Sequence, residues 1–337
     1  MSCVPSQFRV LVAGASGYTG ALAARLVHRH PDLHLEMITS RSDAGRRLDD
    51  LYPQHRVPLV LDALDLELAA EPPDVEAAIV AYPHGASAPV VAALHERGIK
   101  VVDLSADFRL RDLGVYREWY TEHAAPQLLP EAIYGLPELY REQLRGAGLV
   151  ANPGCYPTAT ILALAPLAPY IADVVIDAKS GVSGAGRGLS ESTHFVSADE
   201  NVTPYGVGHH RHMPEIDQEL AVAGARDLTV TFTPHLVPLD QGELVSCYVT
   251  LSDESVDVEA LFAERYGDEP FVELTDRPPG VRDVRDSNVC RIHARRDERT
   301  GKVFVFAVID NLWKGASSQA IQNLNLMLGL PETAGLV

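Results

Sequence analysis

A cysteine stands directly after a Pro-Gly turn and before an apolar run. The segment reads Asn152-Pro153-Gly154-Cys155-Tyr156-Pro157-Thr158, and the apolar residues Ile161 to Leu167 follow it. Pro157 suits the first turn of a helix, because its φ is preset and its missing amide would have no partner there. A helix start favours negative charge, and the thiolate is the nucleophilic form of cysteine. The segment therefore predicts either a nucleophile at Cys155 or a small buried side chain beside a helix cap.

Histidines further along the chain could supply the proton transfers of a thiol reaction. His210 and His212 lie ahead of a predicted helix, Pro214 to Leu220. They are two residues apart and lack the i, i+4 spacing of a zinc-binding helix, so we predict no metal site. A histidine near a cysteine can act as acid or base, and Glu215 could hold such a ring in one tautomer. Both His210 and His212 are candidates.

A glycine-rich turn near the N-terminus has the form of a dinucleotide-binding site. The apolar strand Phe8 to Ala13 leads into this turn, and Ala21 to His30 then has helical spacing. Glycines let the backbone turn tightly and approach a pyrophosphate at the helix start. The spacing G-x-x-G-x-x-G is a variant of the usual pattern, and a plain β-turn-α connection is the alternative. The predicted cofactor contacts in this turn are Gly14, Ser16, Gly17, Tyr18, Thr19 and Gly20.

The end of the second predicted strand, Leu33 to Thr39, bears on which dinucleotide binds. NAD enzymes of this kind place an acidic residue there to bind the ribose 2′-hydroxyl. Here Ser40 and Arg41 follow the strand, and a hydroxyl and a guanidinium suit a 2′-phosphate. We therefore predict NADP(H), although Asp43 weakens this and a solvated basic turn is the alternative.

The order of strands and helices predicts an α/β protein with two domains. Alternating strands and helices up to residue 151 indicate a Rossmann-like parallel sheet. Helices between strands then become scarce, which indicates an α+β domain with a mixed or antiparallel sheet. We expect an NADP-binding domain over residues 1–151, completed by a C-terminal helix over residues 312–337. Residues 152–311 are expected to form the catalytic and oligomerisation domain.

One strand of the first domain ends in a polar segment at the edge where such sheets bind ligands. Lys100 to Leu104 is followed by Ser105-Ala106-Asp107-Phe108-Arg109, which would lie at the carboxyl end of the sheet. Arg109 could bind an anionic group through two hydrogen bonds. A surface ion pair with Asp107 or Asp112 is the alternative.

Composition excludes several classes of protein. There are 46 acidic and 28 basic residues, giving a formal charge of -18, which argues against a nucleic-acid or anionic membrane partner. The cysteines Cys3, Cys155, Cys247 and Cys290 form no Cys-x-x-Cys pair, so neither a disulfide framework nor a cysteine zinc site is predicted. No run reaches the ~18 apolar residues of a membrane span, and the N-terminus lacks a signal-peptide pattern. We expect a cytoplasmic protein.

A thiol, a histidine, a nicotinamide cofactor and an anion-binding arginine together define a reaction class. The thiolate would form a thioester and expel phosphate, and NADPH would reduce the thioester to an aldehyde. The chain resembles the N-acetyl-gamma-glutamyl-phosphate reductase family of the semialdehyde dehydrogenase superfamily over nearly its whole length. Besides the cysteine, glycine and Asp103 to Arg109 segments, the resemblance is carried by Ser180-Gly181-Val182-Ser183-Gly184-Ala185-Gly186-Arg187, His210-Arg211-His212-Met213-Pro214-Glu215-Ile216 and Asp310-Asn311-Leu312-Trp313-Lys314-Gly315.

The resemblance implies NADPH-dependent reduction of N-acetyl-gamma-glutamyl phosphate, a small acyl phosphate, by a homodimer or homotetramer in arginine biosynthesis. It makes Cys155 the nucleophile and places the His-Arg-His segment over it, with His209 as an extra residue beside the motif. Arg109 is similar in position to the phosphate-binding arginine of aspartate-semialdehyde dehydrogenases. The further expected contacts are Ser105 and Asn152 for the substrate, and Ser183, Gly184, Ala185 and Asn311 near the nicotinamide.

Other functions fit the sequence less well. The sister reductase of carrier-protein lysine biosynthesis resembles Gly-Cys-Asn-Ala-Thr at the nucleophile, whereas this chain has Gly154-Cys155-Tyr156-Pro157-Thr158. The net negative charge would also repel an acidic carrier. A non-catalytic NADP sensor would have no reason to keep the Pro-Gly-Cys and His-Arg-His segments. A cysteine hydrolase would leave the glycine turn unexplained.

Overall fold

The chain folds into two compact units. A computed structural model describes residues 7–63 and 74–337. One unit comprises the residues up to Pro153 together with Ala316–Val337, and the other comprises Gly154–Gly315. The chain therefore enters the second unit at the residue before Cys155 and leaves it just after Lys314-Gly315.

The first unit is built on a parallel sheet with the strand order β2-β1-β3-β4-β6-β5. Its strands are β1 Phe8–Ala13, β2 Leu33–Thr39, β3 Ala77–Val80, β4 Lys100–Asp103, β5 Ile133–Tyr134 and β6 Leu149–Ala151. Its helices are α1 Tyr18–Arg29, α2 Leu48–Leu51, α3 Ala88–His95, α4 Leu113–Trp119, α5 Pro137–Leu144 and α10 Ser318–Leu328. Every residue of β3 is buried, as expected of a parallel strand covered on both faces.

Two helix starts in the first unit differ from the sequence prediction. The first helix begins at Tyr18 rather than at Ala21, because Gly17 takes the extended conformation of an N-cap and needs no side chain to do so. The C-terminal helix begins at Ser318, after a π-helical turn over Trp313–Ser317. α10 returns to pack against α1 and α5 of the first unit.

The second unit contains a mixed sheet with the order β11-β12-β13-β10-β7-β9-β8. Its strands are β7 Ile171–Ser180, β8 Thr203–Pro204, β9 Thr231–Leu236, β10 Glu243–Leu251, β11 Val272–Leu274, β12 Cys290–Arg296 and β13 Val303–Ile309. Its helices are α6 Cys155–Leu164, α7 Phe195–Ala198, α8 Met213–Val222 and α9 Val258–Tyr266. Antiparallel neighbours flank β10, whereas β7 with β9 and β11 with β12 are parallel pairs. The predicted fold class is confirmed.

The helix that carries the cysteine lies deep in the second unit. All residues of α6 after Cys155 are buried, and the helix packs against β10, β13 and α8. A helix that is apolar on every side belongs in a protein core, so the rest of the unit fixes the position of Cys155. Within the described residues, none of the helices has the length and apolarity needed to span a membrane.

Candidate active site

Cys155 is the first residue of α6, as the Pro-Gly-Cys segment predicts. Gly154 is the extended N-cap, and Thr158 closes the first turn by donating from Oγ1 to the Gly154 carbonyl at 2.9 Å. The amide of Gly154 donates to Oε1 of Glu215 at 2.9 Å, and Glu215 is only 1 % exposed. The sequence predicts that Glu215 orients a histidine ring, and this contact also places its carboxylate beside the turn that carries Cys155.

Gly315 lies against the cysteine from the far end of the second unit. A Cβ atom at Gly315 would come within 2.8 Å of the Cys155 Cβ and 3.3 Å of its Cα. Such a distance is too short for two carbon atoms, so only glycine lets the two segments approach this closely. The close packing against Cys155 therefore explains why the last motif has a glycine at position 315.

Glu243 is a residue near Cys155 that sequence reasoning missed. It is the first residue of β10, is 0 % exposed, and its carboxyl group interacts with the Cys155 side chain. Burial raises the pKa of Glu243 to about 8, the Cys155 side chain opposes the shift, and Asp310 adds to it. In the sequence Glu243 is a lone acid at the start of an apolar strand, which normally indicates a solvated strand end.

His210 and His212 belong to an aromatic cluster around Tyr156, the residue after the cysteine. The ring centroids of Tyr156 lie 5.7 Å from His210 and 5.9 Å from His212, and the two histidine rings are 4.9 Å apart. The amide of His212 donates to Nδ1 of His210 at 3.2 Å. Burial, with a contribution from Arg211, lowers the pKa of His210 to about 4. His210 is therefore neutral near pH 7, with its proton on Nε2.

The loop after β7 is held by Asn311. The Asn311 side chain accepts the Gly242 amide at 2.7 Å and donates to Oγ of Ser183 at 3.1 Å. Ser183 is buried, whereas Gly184 and Ala185 are exposed. The amides of residues 181–184 already donate to backbone carbonyls, so they are not available to a ligand. Asn311 instead fixes the residue that precedes Glu243.

The glycine turn of the first unit has the shape that a dinucleotide needs. Gly14 has a φ of +86°, and a Cβ there would lie 2.6 Å from the Ala81 carbonyl oxygen. A Cβ at Gly20 would lie 2.3 Å from the Gly14 oxygen, so α1 can approach the turn only with glycine at that position. Gly17 at the start of α1 faces open space apart from one ordinary contact. The first-turn amides of α1 have no intrahelical partners, so the turn fits a bound pyrophosphate.

The end of β2 is tied to the glycine turn. The Thr39 carbonyl accepts the amides of Gly14 and Ala15, and the hydroxyls of Ser16 and Ser40 are 2.8 Å apart. Ser40 is 2 % exposed, so it positions the turn. Tyr18 and Thr19 form the exposed and half-buried start of α1.

Arg41, next along the chain, is exposed and lies over the ring of Tyr82 at 4.5 Å. Asp43, the acid that argued for NAD, accepts from Arg46 at 3.0 Å and from Ser42 at 2.8 Å.

The predicted substrate residues of the first unit are buried in an internal network. Arg109 donates from Nε to the Asn152 carbonyl at 2.8 Å and from Nη2 to the Leu104 carbonyl at 2.9 Å. Ser105 donates to Asp103 at 2.6 Å, and burial raises the pKa of that aspartate to about 6. The Asn152 side chain contacts the Ala316 carbonyl and Asn323. These contacts hold the end of the first unit immediately before the Pro153-Gly154 turn.

Comparison with known proteins identifies the family. The family model described as "Semialdehyde dehydrogenase, NAD binding domain" matches residues 9–147. The model described as "Semialdehyde dehydrogenase, dimerisation domain" matches residues 155–311. The N-acetyl-gamma-glutamyl-phosphate reductase of Desulforudis audaxviator is 50% identical over 98% of both chains. The enzyme of the same name from Syntrophobacter fumaroxidans is 50% identical over 97% of both. The chain belongs to the N-acetyl-gamma-glutamyl-phosphate reductase family.

Solved structures agree with this family at the level of the fold. Aspartate semialdehyde dehydrogenase II from Vibrio cholerae superposes with a TM-score of 0.73 at 19% identity, over 96% of this chain and 99% of that one. The aspartate semialdehyde dehydrogenase of Candida albicans, solved with NADP, gives 0.71 at 15% identity over 96% and 99%. The resemblance to the N-acetyl-gamma-glutamyl-phosphate reductase family that the motifs indicated is confirmed. Among the described residues, no group of three or more His, Cys, Asp or Glu side chains is arranged to hold a metal ion.

Proposed function

We propose that this protein reduces N-acetyl-gamma-glutamyl phosphate to N-acetylglutamate 5-semialdehyde, with NADPH as the reductant and release of inorganic phosphate, in arginine biosynthesis. The main support is the position of Cys155 at the first residue of a buried helix. Glu215 binds the amide of the preceding Gly154, and Gly315 packs against Cys155 itself. Relatives that carry this name are 50% identical over nearly the whole chain. We propose that the first unit binds the cofactor and that the second unit carries the catalytic residues.

Cys155 is proposed to act as the nucleophile. Its sulfur attacks the acyl carbon, the sulfur–carbon bond forms, and the bond from carbon to the phosphate oxygen breaks to leave a thioester. The start of α6 favours negative charge on the sulfur before the attack. When bound, NADPH supplies the hydride that takes the acyl group to the aldehyde level. The overall reaction consumes one proton from solvent, which ends on the departing phosphate.

His212 is the better candidate for the acid or base, and His210 for a positioning residue. A general acid or base works best with a pKa close to the working pH, and the pKa of His210 is lowered to about 4. Nδ1 of His210 also accepts the amide of His212. His210 would thus hold the backbone of His212, whose ring would exchange a proton with the reacting carbonyl oxygen.

The cofactor is proposed to lie along the glycine turn. Gly14, Gly17 and Gly20 would admit the pyrophosphate to the start of α1, and Arg41 would bind the 2′-phosphate. Asn311 and the loop from Ser183 to Ala185 are also proposed to contact the nicotinamide. Arg109, Ser105 and Asn152 are proposed to order the substrate end of the first unit. Their internal hydrogen bonds support this positioning role.

A homodimer or homotetramer in the cytoplasm is also proposed. Residues 155–311 match a dimerisation domain, and exposed apolar side chains cluster along one segment of that unit, at Leu189, Phe195, Val196, Val202 and Val207. A reactive thiol that must stay reduced favours a reducing compartment. Light scattering coupled to size-exclusion chromatography would give the number of subunits, and cell fractionation would give the location.

The decisive test is the reverse reaction, phosphate-dependent reduction of NADP with N-acetylglutamate 5-semialdehyde. The wild-type protein should reduce NADP only when phosphate is present, and NAD more weakly. Cys155→Ala should lose this activity entirely while still binding NADPH in a fluorescence titration. Activity that survives in Cys155→Ala would refute the thioester mechanism, and a preference for a carrier-bound acyl phosphate would refute the substrate.

A further inference from the structure

Glu243 occupies a position in the sheet that faces the nucleophile. As the first residue of β10 it pairs with Ser180 on β7 and Ile309 on β13, and its side chain is fully buried. The position that a Cβ would take at Gly315 is 2.8 Å from the Cys155 Cβ and 3.3 Å from Ile309 Cδ1. Cys155 and Ile309, the β13 partner of Glu243, therefore both lie against Gly315, and α6 packs on both strands.

The surroundings of this carboxyl group contain few polar groups. Neither carboxylate oxygen of Glu243 has a hydrogen-bond partner of regular geometry among the described residues, and the thiol that interacts with the carboxyl group is that of Cys155. A buried ionised group without such partners is costly. The titratable groups that face it are Cys155 and Tyr156 from α6, Asp310 after β13, and Tyr205 after β8.

These neighbours leave Cys155 as the group with which Glu243 can exchange a proton. Burial, and then the negative charge of Glu243, raises the pKa of Tyr156, and burial raises that of Tyr205, so both phenols stay neutral. The Asp310 carboxylate accepts the amides of Asp286, Leu312 and Trp313. Two acidic groups in contact inside a protein do not ionise independently, because the first charge opposes the second.

We propose that Glu243 is a positioning residue that shares a single proton with the Cys155 thiol, so that the pair carries one negative charge. In one form the thiol is protonated and the carboxylate is ionised; in the other the proton has moved to a carboxylate oxygen and the sulfur is a thiolate. When the sulfur attacks the acyl carbon, the proton stays on Glu243. It returns to the sulfur when the carbon–sulfur bond breaks and the aldehyde leaves. This inference rests on the proposed role of Cys155 as the nucleophile.

The pH dependence of Cys155 alkylation tests this in the protein without substrate or cofactor. Iodoacetamide reacts with thiolates, and peptide mass spectrometry follows the modification at Cys155 alone. In the wild type the rate should rise in two steps separated by a plateau, because the charge that the pair already carries opposes loss of its second proton. In Glu243→Gln the rate should keep rising, since no carboxylate opposes the thiolate. It should exceed the wild-type rate by about tenfold near pH 9.5, as expected for coupling of ~1 pK unit.

Glu254→Gln is the matched control, because Glu254 is exposed beyond the end of β10 and its loss should leave the wild-type curve unchanged. Superimposable curves for wild type and Glu243→Gln would overturn the proposal. If Glu243→Gln does not fold, the wild-type curve decides alone. A curve with a single ionisation step would then count against the shared proton. Failure of the proposed function is a separate result, since it would appear as absence of phosphate-dependent NADP reduction in the wild type.

Discussion

The contact between Arg41 and Tyr82 gives a quantitative prediction about cofactor choice. The guanidinium carbon lies 4.5 Å from the ring centroid, and the Tyr82 Cδ1 is 3.4 Å from where a Cβ would stand at Gly14. The ring thus lies between the turn proposed for the pyrophosphate and the arginine proposed for the 2′-phosphate. A cation over an aromatic face at an exposed site contributes about 0.5–1 kcal/mol. Replacement of Tyr82 by leucine should remove this positioning of Arg41.

The expected effect is selective for the cofactor that carries a 2′-phosphate. A loss of about 0.5–1 kcal/mol weakens binding about two- to fivefold. Tyr82→Leu should therefore raise the Kd for NADPH and for 2′,5′-ADP by that factor, while the Kd for NADH changes little. Tyr82→Phe keeps the ring and loses only a 3.4 Å hydroxyl contact with Thr39, so it should bind both dinucleotides like the wild type. Fluorescence titration of the free protein measures all of these constants.

Two results would refute this reasoning. An equal loss of NADPH and NADH binding in Tyr82→Leu would show that the ring supports the glycine turn in general and not the arginine. Unchanged NADPH binding would show that Arg41 needs no aromatic support. A thermal unfolding curve for each variant separates either result from a loss of folded protein.

Substitutions at two further positions test the contacts that position Cys155. Gly315→Ala should lower kcat by about 10²-fold, because the new methyl group must displace the start of α6 and a misplacement of ~1 Å costs about that much. Gly188→Ala, whose Cβ would meet no atom within 4 Å, is its control, and equal activity of the two variants would contradict the steric argument. Glu215→Ala should reduce the free energy of unfolding by about 1–3 kcal/mol in urea titrations, because it leaves the Gly154 amide without this acceptor. Glu215→Gln keeps an acceptor oxygen and should lose less; equal losses would show that the Gly154 contact is not what Glu215 contributes.

Local sequence rules placed the elements whose signals are local. The start of α6 at Cys155 follows from the preset φ of Pro157 and from the Pro-Gly turn, and the parallel sheet follows from buried runs such as β3. The strand β12 was missed because Arg291, Arg295 and Arg296 give it the look of a polar segment. Its buried residues, Cys290 and Ile292, flank Arg291, and long arginine side chains can reach solvent from a half-buried strand.

The residues around Cys155 could not be found in the same way, because each comes from a distant part of the chain. Glu215 reaches Gly154 from α8, Gly315 comes from the segment after β13, and Glu243 is brought in by the pairing of β10 between β7 and β13. Register decides such contacts, because a shift of one residue turns a side chain to the opposite face of the sheet. A lone glutamate before an apolar strand carries no sign of which face it will occupy.

The two histidines likewise could not be distinguished by residue type, because their roles depend on the residues that surround them in the fold. Their spacing made His210 and His212 equal candidates, and only packing distinguishes them. Burial beside Arg211 removes the charge from His210, and its Nδ1 is occupied by the amide of His212. A ring so constrained can orient its neighbour, but it holds a second proton too weakly to donate it near neutral pH. We therefore assign the proposed acid or base role to His212, and Tyr156 packs against both rings.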